Sequence, residues 1–389
     1  MDILDVSDIP LPDEEVSSSI VDEIEGGTAF KFCFIGAGQG GGKIAHQFWQ
    51  YGYRRVCAIN TASADLDPLG REVPADAKYP TFPAKNKLKI GEHEGAGGSI
   101  EVGRVAALEN REDIFNLMRT SFGDDFDYIF VTATAGGGTG AGSCAEIVKI
   151  ASELAEKVEC VDKDGKPRVG VMLALPKESD ASDAYNSAVQ VLEEIAELTP
   201  NIVSPLILID NKRINKLYPG LPLGKFCSKA NHSACSILHL LNVVSARESE
   251  YTSFDAADYE TLLSSGIITY GAMPINKWDN RDDLSVAVRS NLTKNVLVDG
   301  VDLSTGKIAG CVLVSNKQVL DEELSQEYID DSFSMLARMI KPGSPVRTGV
   351  YAGNNQNIVA YTIIGGLDKP VKKIQEMCKL AGIRDFDGA

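Results

Sequence analysis

Three glycine-rich segments, each lying between a predicted strand and a predicted helix, constrain the fold of this chain more than any other feature. They span residues 36–43 (GAGQGGGK), 91–103 (GEHEGAGGSIEVG) and 135–143 (AGGGTGAGS). Backbone N–H groups in such loops, together with the positive end of the helix that follows, can converge on an anion. Glycine suits this arrangement because a side chain would hold a phosphate group away from the backbone. Three such loops in one chain predict a phosphate-binding site.

The segments around these loops alternate between strand-like and helix-like patterns. Apolar runs such as KFCFIG, DYIFVTATA and RVGVMLALP are typical of strands buried on both faces, and helical periodicity follows them. This order predicts an α/β fold with a parallel sheet, in which ligands bind at the carboxyl ends of the strands. A long helix is predicted at 225–246, followed by a smaller set of strands with helices near 283–294 and 326–341.

Two other glycine motifs fit the first loop less well. A G-x-G-x-x-G pattern starts at Gly36 and is typical of dinucleotide sites, but such sites need an acid at the end of the second strand, where this chain has Asn60. A Walker A loop would need glycine at Ala37 and a serine or threonine at Ile44. A dinucleotide-dependent dehydrogenase is therefore disfavoured.

The charge of the chain limits its partners. It has 38 basic and 55 acidic residues, a formal net charge of −17. Direct binding to nucleic acid or to an anionic membrane needs a cationic face, so neither is predicted. No apolar run approaches the ~20 residues that span a bilayer. Residues 1–27 hold nine acids and no base, and we predict an acidic N-terminal extension outside the core, with a short helix at 14–25 left open.

Cysteine and histidine spacing argues against a structural metal. The eight cysteines form no C-x-x-C pair, and the four histidines have no metal-ligand spacing with them. We expect reduced, buried cysteines in a cytoplasmic protein.

The segment GGGTGAG at 136–142 resembles the signature of the tubulin/FtsZ superfamily, and further segments follow in that family's order. IGAGQGGGKIA resembles the first phosphate loop, INTASADL the segment after the second strand, and GAGGSIEVG the γ-phosphate loop. Three later segments continue the resemblance. The strand-end asparagine segment is resembled by LILIDNKRI, the central helix that contacts guanine by KANHSACSIL, and the catalytic loop by FDAADYETLLSSG. The chain is most similar in sequence to plasmid and phage tubulins of the TubZ type in the segments LPKESDA, LIDNKR and FDAADY.

This resemblance implies a domain order as well as a fold. It implies a Rossmann-like, parallel-sheet GTPase domain at 28–224, a central helix at 225–246 and a smaller α+β activation domain at 247–367. The catalytic loop is expected at 251–266, and a C-terminal helix and tail at 368–389.

The resemblance also implies GTP or GDP with Mg²⁺ as the cofactors and a set of nucleotide-binding residues. That set is Gly38, Gln39, Gly40, Gly41, Asn60, Thr61, Gly95, Ala96, Gly97, Gly98, Gly136, Gly137, Gly138, Thr139, Gly140, Asn211 and Asn231. Asn231 is expected to bond the guanine edge, and Asn211 the base or ribose. Asn60 and Thr61 are expected to order magnesium and phosphate waters, with no side chain predicted to ligate the metal directly.

Two acids carry the predicted catalysis. By resemblance, Asp255 and Asp258 reach the nucleotide of the next subunit and hold an attacking water there. The chain departs from the family at three further positions. In the catalytic loop Ser253 replaces an asparagine, and in the first glycine loop Lys43 replaces an uncharged polar residue. In the central helix Phe226 is one residue out of register for the aromatic that packs on guanine. The arginine that FtsZ places after its corresponding loop is also missing from LPKESDAS.

A nucleotide on one face and catalytic acids on another imply a head-to-tail homopolymer, because heterologous contacts that do not close form open filaments. We predict a GTP-hydrolysing filament protein that positions plasmid or phage DNA through a DNA-binding adaptor protein. One alternative is an FtsZ-like cell-division or cell-shape protein, disfavoured because few residues follow the last predicted helix. Another is a non-polymerising nucleotide-binding regulator, which would not need Asp255 and Asp258.

Overall fold

The computed structural model describes residues 27–69, 82–217, 220, 222–276, 278–280, 282–295, 297–354 and 357–383. The predicted acidic extension therefore lies almost wholly outside the described residues. The chain divides into two compact units, which are treated separately below. The first unit contains Phe30–Lys212 and the C-terminal residues from Pro370, and the second contains Arg213–Lys369 with the segment just before Phe30.

The first unit is built on a parallel sheet of six strands in the order β3-β2-β1-β4-β5-β6. The strands are β1 Phe32–Ala37, β2 Val56–Asn60, β3 Lys87–Lys89, β4 Tyr128–Thr134, β5 Val169–Leu175 and β6 Val203–Asp210. Every residue of β1, β2 and β5 is buried, as expected of parallel strands that are covered on both faces. The parallel α/β sheet predicted from the sequence is confirmed.

Helices connect these strands. They are α1 Gly38–Gln50, α2 Ser63–Leu66, α3 Ile100–Glu109, α4 Arg111–Phe122, α5 Gly138–Lys157, α6 Ser182–Leu198 and, at the C-terminal end, α12 Val371–Ala381. The core beneath α1 is aromatic, with the rings of Phe34 and Phe48 stacked at a centroid distance of 3.7 Å. The last helix, α12, packs against α6 and so belongs to the first unit although it ends the chain.

The second unit has a smaller sheet in the order β7-β10-β8-β9. Its strands are β7 Ile267–Ile275, β8 Ile308–Ser315, β9 Val346–Ala352 and β10 Ile358–Leu367. The strand β10 is antiparallel to β7 and β8, whereas β8 and β9 are parallel. The helices of this part are α7 Asn211–Leu217, which starts at the end of the first unit, α8 Leu223–Val244, α9 Ala256–Leu263, α10 Asp283–Ser290 and α11 Gln326–Met339.

The helix predicted near 283–294 ends earlier than its pattern suggests. The α-helix stops at Ser290, and Asn291–Asn295 form a π-helical turn. Asn291 is fully buried, and its Nδ2 donates to the carbonyls of Gly271 and Ala360 and to the hydroxyl of Thr362. These bonds to two strands bind the end of the helix to the sheet.

The cysteines in the described part of the chain match the expectation of buried thiols. Seven of them are free and buried. Burial raises the pKa of Cys144 and of Cys311 to about 12, which makes both thiols unreactive at neutral pH. Within the described ranges, no helix is long and apolar enough to cross a membrane.

Candidate functional site

The predicted glycine loops meet at the carboxyl edge of the first unit's sheet. In the register of the strands, Ala37 at the end of β1 lies beside Ile59 of β2 on one side and Ala133 of β4 on the other. The chain order of the strands reverses at β1, with β2 and β3 on one side and β4, β5 and β6 on the other. Such a switch point creates a crevice outside the strand ends, where ligands bind in open α/β sheets.

Two helices begin at this crevice without a side-chain cap. The N-caps of α1 and α5 are Ala37 and Gly137, and neither helix has an acid in its first turn. By contrast, α3 is capped by Ser99, whose hydroxyl accepts a hydrogen bond from the N–H of Val102 at 3.4 Å. The first-turn N–H groups of α1 and α5 have no partner inside their own helix, so they and the helix dipoles favour an anion.

Five of the predicted nucleotide-binding glycines are required by packing between protein segments. A Cβ on Gly40 would lie 2.1 Å from Thr134 Cγ2, and one on Gly41 would lie 2.2 Å from the carbonyl oxygen of Thr132. Added Cβ atoms on Gly38, Gly138 and Gly140 would come within 2.8–2.9 Å of backbone atoms of neighbouring segments. Glycine is therefore required at these positions because a Cβ would first meet the protein, which corrects the expectation that it serves there to keep a side chain off a phosphate.

The loop at 95–98 is of a different kind. Gly95, Gly97 and Gly98 have φ values of +103°, +57° and +81°, and an added Cβ on any of them would meet nothing within 4 Å. Between them Ala96 is buried. The N–H of Gly95 donates to the carbonyl of Thr61 at 3.1 Å, which ties this loop to the end of β2. Left-handed glycines facing open space allow a ligand to approach the backbone closely.

The remaining two glycines of the predicted set, Gly136 and Gly137, have neighbours at larger distances from an added Cβ. An added Cβ on Gly136 would lie 3.2 Å from the side chains of Ala184 and Pro176, and one on Gly137 would lie 3.6 Å from Thr134 Oγ1. Neither position is closed to a small side chain by the protein alone.

Polar side chains predicted for the site are brought together beside the loops. The hydroxyls of Thr61 and Thr139, both buried, are hydrogen-bonded at 2.7 Å. Asn60 is buried at the end of β2, where its Oδ1 accepts from the N–H of Ala62 at 3.2 Å. Its Nδ2 donates to Asp65 Oδ2 at 3.2 Å, and Gln39 Nε2 donates to Asp65 Oδ1 at 2.9 Å.

Asp65 was missed by the sequence analysis as a site residue. It orients two of the predicted residues, one from the first turn of α1 and one from the end of β2. The available signal was its position in the segment INTASADL, five residues beyond Asn60, on the short helix α2.

Asn211 lies directly after β6, and its half-buried side chain is already oriented. Its Nδ2 donates to the carbonyl oxygen of Leu175 at 2.9 Å. Because a carbonyl can only accept, this bond fixes which end of the amide carries the oxygen. The Oδ1 of Asn211 is thereby presented as an acceptor, suited to a ligand edge that donates.

The predicted residues of the central helix and of the catalytic loop belong to the second unit. Asn231 is half-buried on α8, a helix whose range overlaps most of the predicted 225–246. Phe226 also falls within α8, and its side chain is outside the described part. Lys43 is exposed on α1 of the first unit.

Asp255 and Asp258 occupy the first turn of α9. Asp255 is the N-cap, and its Oδ1 accepts from the N–H of Asp258 at 2.9 Å. The carboxylate of Asp258 lies 3.2 Å from Nε of Arg347 on β9, a residue that no motif indicated. Burial raises the pKa of Asp258 and the negative charge of Asp255 raises it further, whereas Arg347 lowers it.

Ser253, just before the cap, also has a local role. Its Oγ accepts a hydrogen bond from the N–H of Ser249 at 3.0 Å. This bond closes the turn that leads into α9. The structure therefore places Ser253 as a loop-forming residue.

The residues that the structure describes contain no side-chain cluster that could ligate a metal directly. Among them, no group of three or more histidine, cysteine, aspartate or glutamate side chains is close enough to hold an ion.

Two family models match the chain. The model described as "Tubulin/FtsZ family, GTPase domain" matches residues 31–219. A second, described as "Tubulin/FtsZ-like protein TubZ-like, C-terminal domain", matches residues 240–374. The boundary between the two matches falls at α8.

Individual relatives and solved structures agree with these matches. The chain is 23% identical over 383 residues to the tubulin-like protein TubZ of Bacillus cereus, covering 91% of this chain and 83% of that protein. It is 26% identical over 362 residues to the cell division protein FtsZ of Aquifex aeolicus, covering 89% and 84%.

Among solved structures, a GTPγS-form protofilament of Bacillus thuringiensis serovar israelensis TubZ aligns with a TM-score of 0.76 at 17% identity, covering 96% of both chains. A GTPγS-bound protofilament of CetZ2 from Haloferax volcanii aligns with a TM-score of 0.69 at 20% identity, covering 90% of this chain and 98% of that one. The fold is thus the one shared by these proteins. The chain belongs to the tubulin/FtsZ superfamily, with that family's GTPase domain followed by a TubZ-like C-terminal domain.

Proposed function

We propose that the first unit binds GTP with its phosphates against the starts of α1 and α5. The observation that carries this proposal is the pair of uncapped helix N-termini at adjacent strand ends, with the open left-handed loop at 95–98 beside the start of α5. Several N–H groups and two helix dipoles can act on one anion there, and each such contact is worth about 0.3–2 kcal/mol. A triphosphate, with its concentrated negative charge, is the ligand that best uses this arrangement.

The proposed preference for guanine rests on hydrogen-bond acceptors that the protein presents to the base. Asn211 Nδ2 is already bonded to Leu175, so Oδ1 remains to accept from the N1–H and amino group that guanine presents. Adenine presents an acceptor at the position of N1–H and would leave Oδ1 unpaired, which costs about 1–3 kcal/mol. Asn231 is proposed as the second base contact, from α8.

Magnesium fits the site as an ion bound through phosphates and water. The oxygens of Asn60 and Thr61 are the groups of this chain that would hold its water shell. When bound, the ion neutralises charge on the phosphates.

We further propose that hydrolysis requires two copies of the chain. Asp255 and Asp258 would act on the nucleotide of the next copy and hold a water in line with its γ-phosphate, while the starts of α1 and α5 stabilise the charge that develops on the phosphoryl oxygens. Arg347 would favour the ionised form of Asp258, against the burial and the charge of Asp255 that raise its pKa. One copy then contributes the nucleotide face and the other the acids, which makes the contact heterologous and the assembly a head-to-tail filament. Solved TubZ and CetZ2 structures described as protofilaments support this part of the proposal.

In the cell, we propose a cytoplasmic filament that moves or positions plasmid or phage DNA. The support is the similarity to TubZ, one relative being described as a "type III plasmid segregation TubZ". A chain with a net charge of −17 would hold DNA through a basic adaptor protein and not directly. The alternative is a role in cell division, supported by the similarity to FtsZ of Aquifex aeolicus.

One experiment tests binding, assembly and the shared site together. Light scattering and phosphate release are measured with GTP, GDP, ATP and a slowly hydrolysed GTP analogue over a dilution series of the protein. We expect assembly with GTP and the analogue only, loss of the scattering signal as GTP is consumed, and specific activity that rises with protein concentration. Constant specific activity on dilution would show that one chain contains the whole active site, and equal assembly with ATP would contradict guanine recognition.

A further inference from the structure

A buried ion pair lies beside Asn211 and is not used by the phosphate site. Asp210 has no exposed surface and Lys373 of α12 is only 4% exposed, with 2.5 Å between Lys373 Nζ and Asp210 Oδ2. Lysine is rarely buried to this extent unless it is paired. Buried ion pairs seldom stabilise a fold more than apolar side chains of the same size would, so their presence points to a geometric role.

The second carboxylate oxygen of Asp210 acts on the backbone. Oδ1 accepts a hydrogen bond from the N–H of Lys212 at 3.0 Å. One oxygen of Asp210 therefore binds α12, and the other fixes the backbone immediately beyond Asn211.

Lys212 is held by the same turn of α12. Its Nζ lies 2.8 Å from Glu376 and 3.4 Å from Glu178, which is on the loop after β5. Glu376 also accepts from Lys373 at 3.1 Å. The hydrogen bond to Glu376 raises the pKa of Lys212; for Lys373, burial alone would lower the pKa, but the charges of Asp210 and Glu376 outweigh burial and raise it. Both lysines are thus charged at neutral pH.

One turn of α12 consequently holds both neighbours of Asn211. Lys373 binds the residue before it and Glu376 the residue after it. We name Lys373 and Glu376, with Asp210 and Lys212, the α12 clamp. The side-chain bond from Asn211 to Leu175 completes the restraint, because it holds the amide of a residue whose backbone is fixed on both sides.

We propose that the α12 clamp positions Asn211 for base recognition, so that the C-terminal helix determines how well the site distinguishes guanine from related bases. This inference rests on the proposed contact between Asn211 and the base. Lys373 is a positioning residue here and touches no reacting atom. Without it, Asn211 would keep its chemistry and lose its fixed orientation.

The test compares GTP with ITP, whose base lacks the 2-amino group that guanine donates. Affinities are measured by displacement of a fluorescent GTP analogue, at protein concentrations below assembly, for wild type, Lys373→Met and Glu376→Gln. The matched control is Lys372→Met, an exposed position on the same helix. We expect Lys373→Met to lower the GTP-to-ITP affinity ratio about tenfold, the effect of one well-placed hydrogen bond. Glu376→Gln should lower the GTP-to-ITP ratio less, and Lys372→Met should leave it unchanged. Lys373→Arg should keep most of the wild-type ratio.

Asn211→Ala separates the inference from the proposal beneath it. If Asn211→Ala lowers the ratio and Lys373→Met adds nothing in that background, the clamp acts through Asn211. If Asn211→Ala lowers the ratio but Lys373→Met does not, the clamp has no positioning role. If Asn211→Ala leaves the ratio unchanged, Asn211 does not contact the base, and the clamp's role falls with that contact. An equal loss of GTP and ITP affinity in Lys373→Met would mean a general disturbance of the site and would also overturn the inference.

Lys373→Met leaves the buried charge of Asp210 without its lysine and can fail to fold. The double variant Asp210→Asn/Lys373→Met removes both charges while keeping an oxygen that can accept from Lys212. It is expected to fold, to show a melting temperature close to that of wild type, and to show the same reduced GTP-to-ITP ratio. A wild-type ratio in this folded double variant would refute the clamp.

Discussion

Replacing Asp255 by asparagine separates the two roles that this residue is expected to have. In the structure it is the N-cap of α9, with its Oδ1 2.9 Å from the N–H of Asp258. In the proposed mechanism its carboxylate holds the attacking water. Asparagine and aspartate are about equally good N-caps, whereas alanine is poor. Asp255→Asn therefore removes the charge and keeps the cap, and Asp255→Ala removes both.

The magnitudes of the two effects differ enough to be resolved. Loss of the cap in Asp255→Ala is expected to cost about 1 kcal/mol of stability, and for a unit of this size that lowers the melting temperature by about 2–4 °C. Asp255→Asn loses only the attraction of the carboxylate to the helix dipole, about 0.3–1 kcal/mol. Both variants lose water positioning, so phosphate release is expected to fall about 100-fold or more in each.

Phosphate release and pelleting with GTP are measured alongside thermal melting. Asp302→Asn is the matched control, because Asp302 caps the short helix Leu303–Thr305 through the same kind of bond, to the N–H of Ser304 at 3.0 Å. We expect Asp255→Asn to pellet with GTP and to release little phosphate, and Asp302→Asn to behave as wild type. Normal phosphate release by Asp255→Asn would refute the catalytic role. Slow release by Asp255→Ala alone would show that the cap, and not the charge, matters.

Four further variants test other parts of the site. Gly41→Ala is expected to lower the free energy of unfolding by about 1–3 kcal/mol, measured in urea without nucleotide. Gly97→Ala, whose Cβ would face open space, is expected to cost about 1 kcal/mol for its left-handed φ and to weaken GTP binding more than Gly41→Ala does. Equal effects of the two variants on GTP affinity would contradict the division into packed glycines and open glycines. Arg347→Met removes a positive charge that lowers the pKa of Asp258, so the fraction of ionised Asp258 falls and the acid limb of the hydrolysis–pH profile moves to higher pH; an unmoved limb at low salt would show that Asp258 does not limit the rate. Thr61→Val leaves the buried hydroxyl of Thr139 without its 2.7 Å partner and is expected to cost about 1–3 kcal/mol of unfolding free energy, which urea denaturation would detect.

The parts of the fold that the sequence could predict are those encoded locally. Buried parallel strands are continuous apolar runs, and the glycine loops between strand and helix mark the carboxyl edge of the sheet, so the α/β sheet and the meeting of the loops followed from pattern alone. The reason for each glycine did not follow. Gly41 and Gly97 both lie in glycine-rich segments of the sequence. A Cβ on Gly41 would meet the carbonyl of Thr132, whereas one on Gly97 would face open space. Only the path of β4 past the first loop decides between these two environments.

Side-chain orientation in the site depends on contacts that no local pattern contains. Asn211 and Asp258 could be proposed from motifs, but the residues that act on them come from distant parts of the chain. Lys373 binds Asp210, beside Asn211, across 163 residues, and Arg347 on β9 faces Asp258 on α9. A motif indicates which residue types lie near a nucleotide, whereas the rotamer and ionisation of each residue are set by whatever the fold packs against it. Removal of such a partner should therefore resemble a weakened form of the motif variant itself. On this reasoning Lys373→Met should resemble Asn211→Ala in base selectivity, and Arg347→Met should resemble Asp258→Asn at acid pH, although neither partner touches the nucleotide in the proposed mechanism.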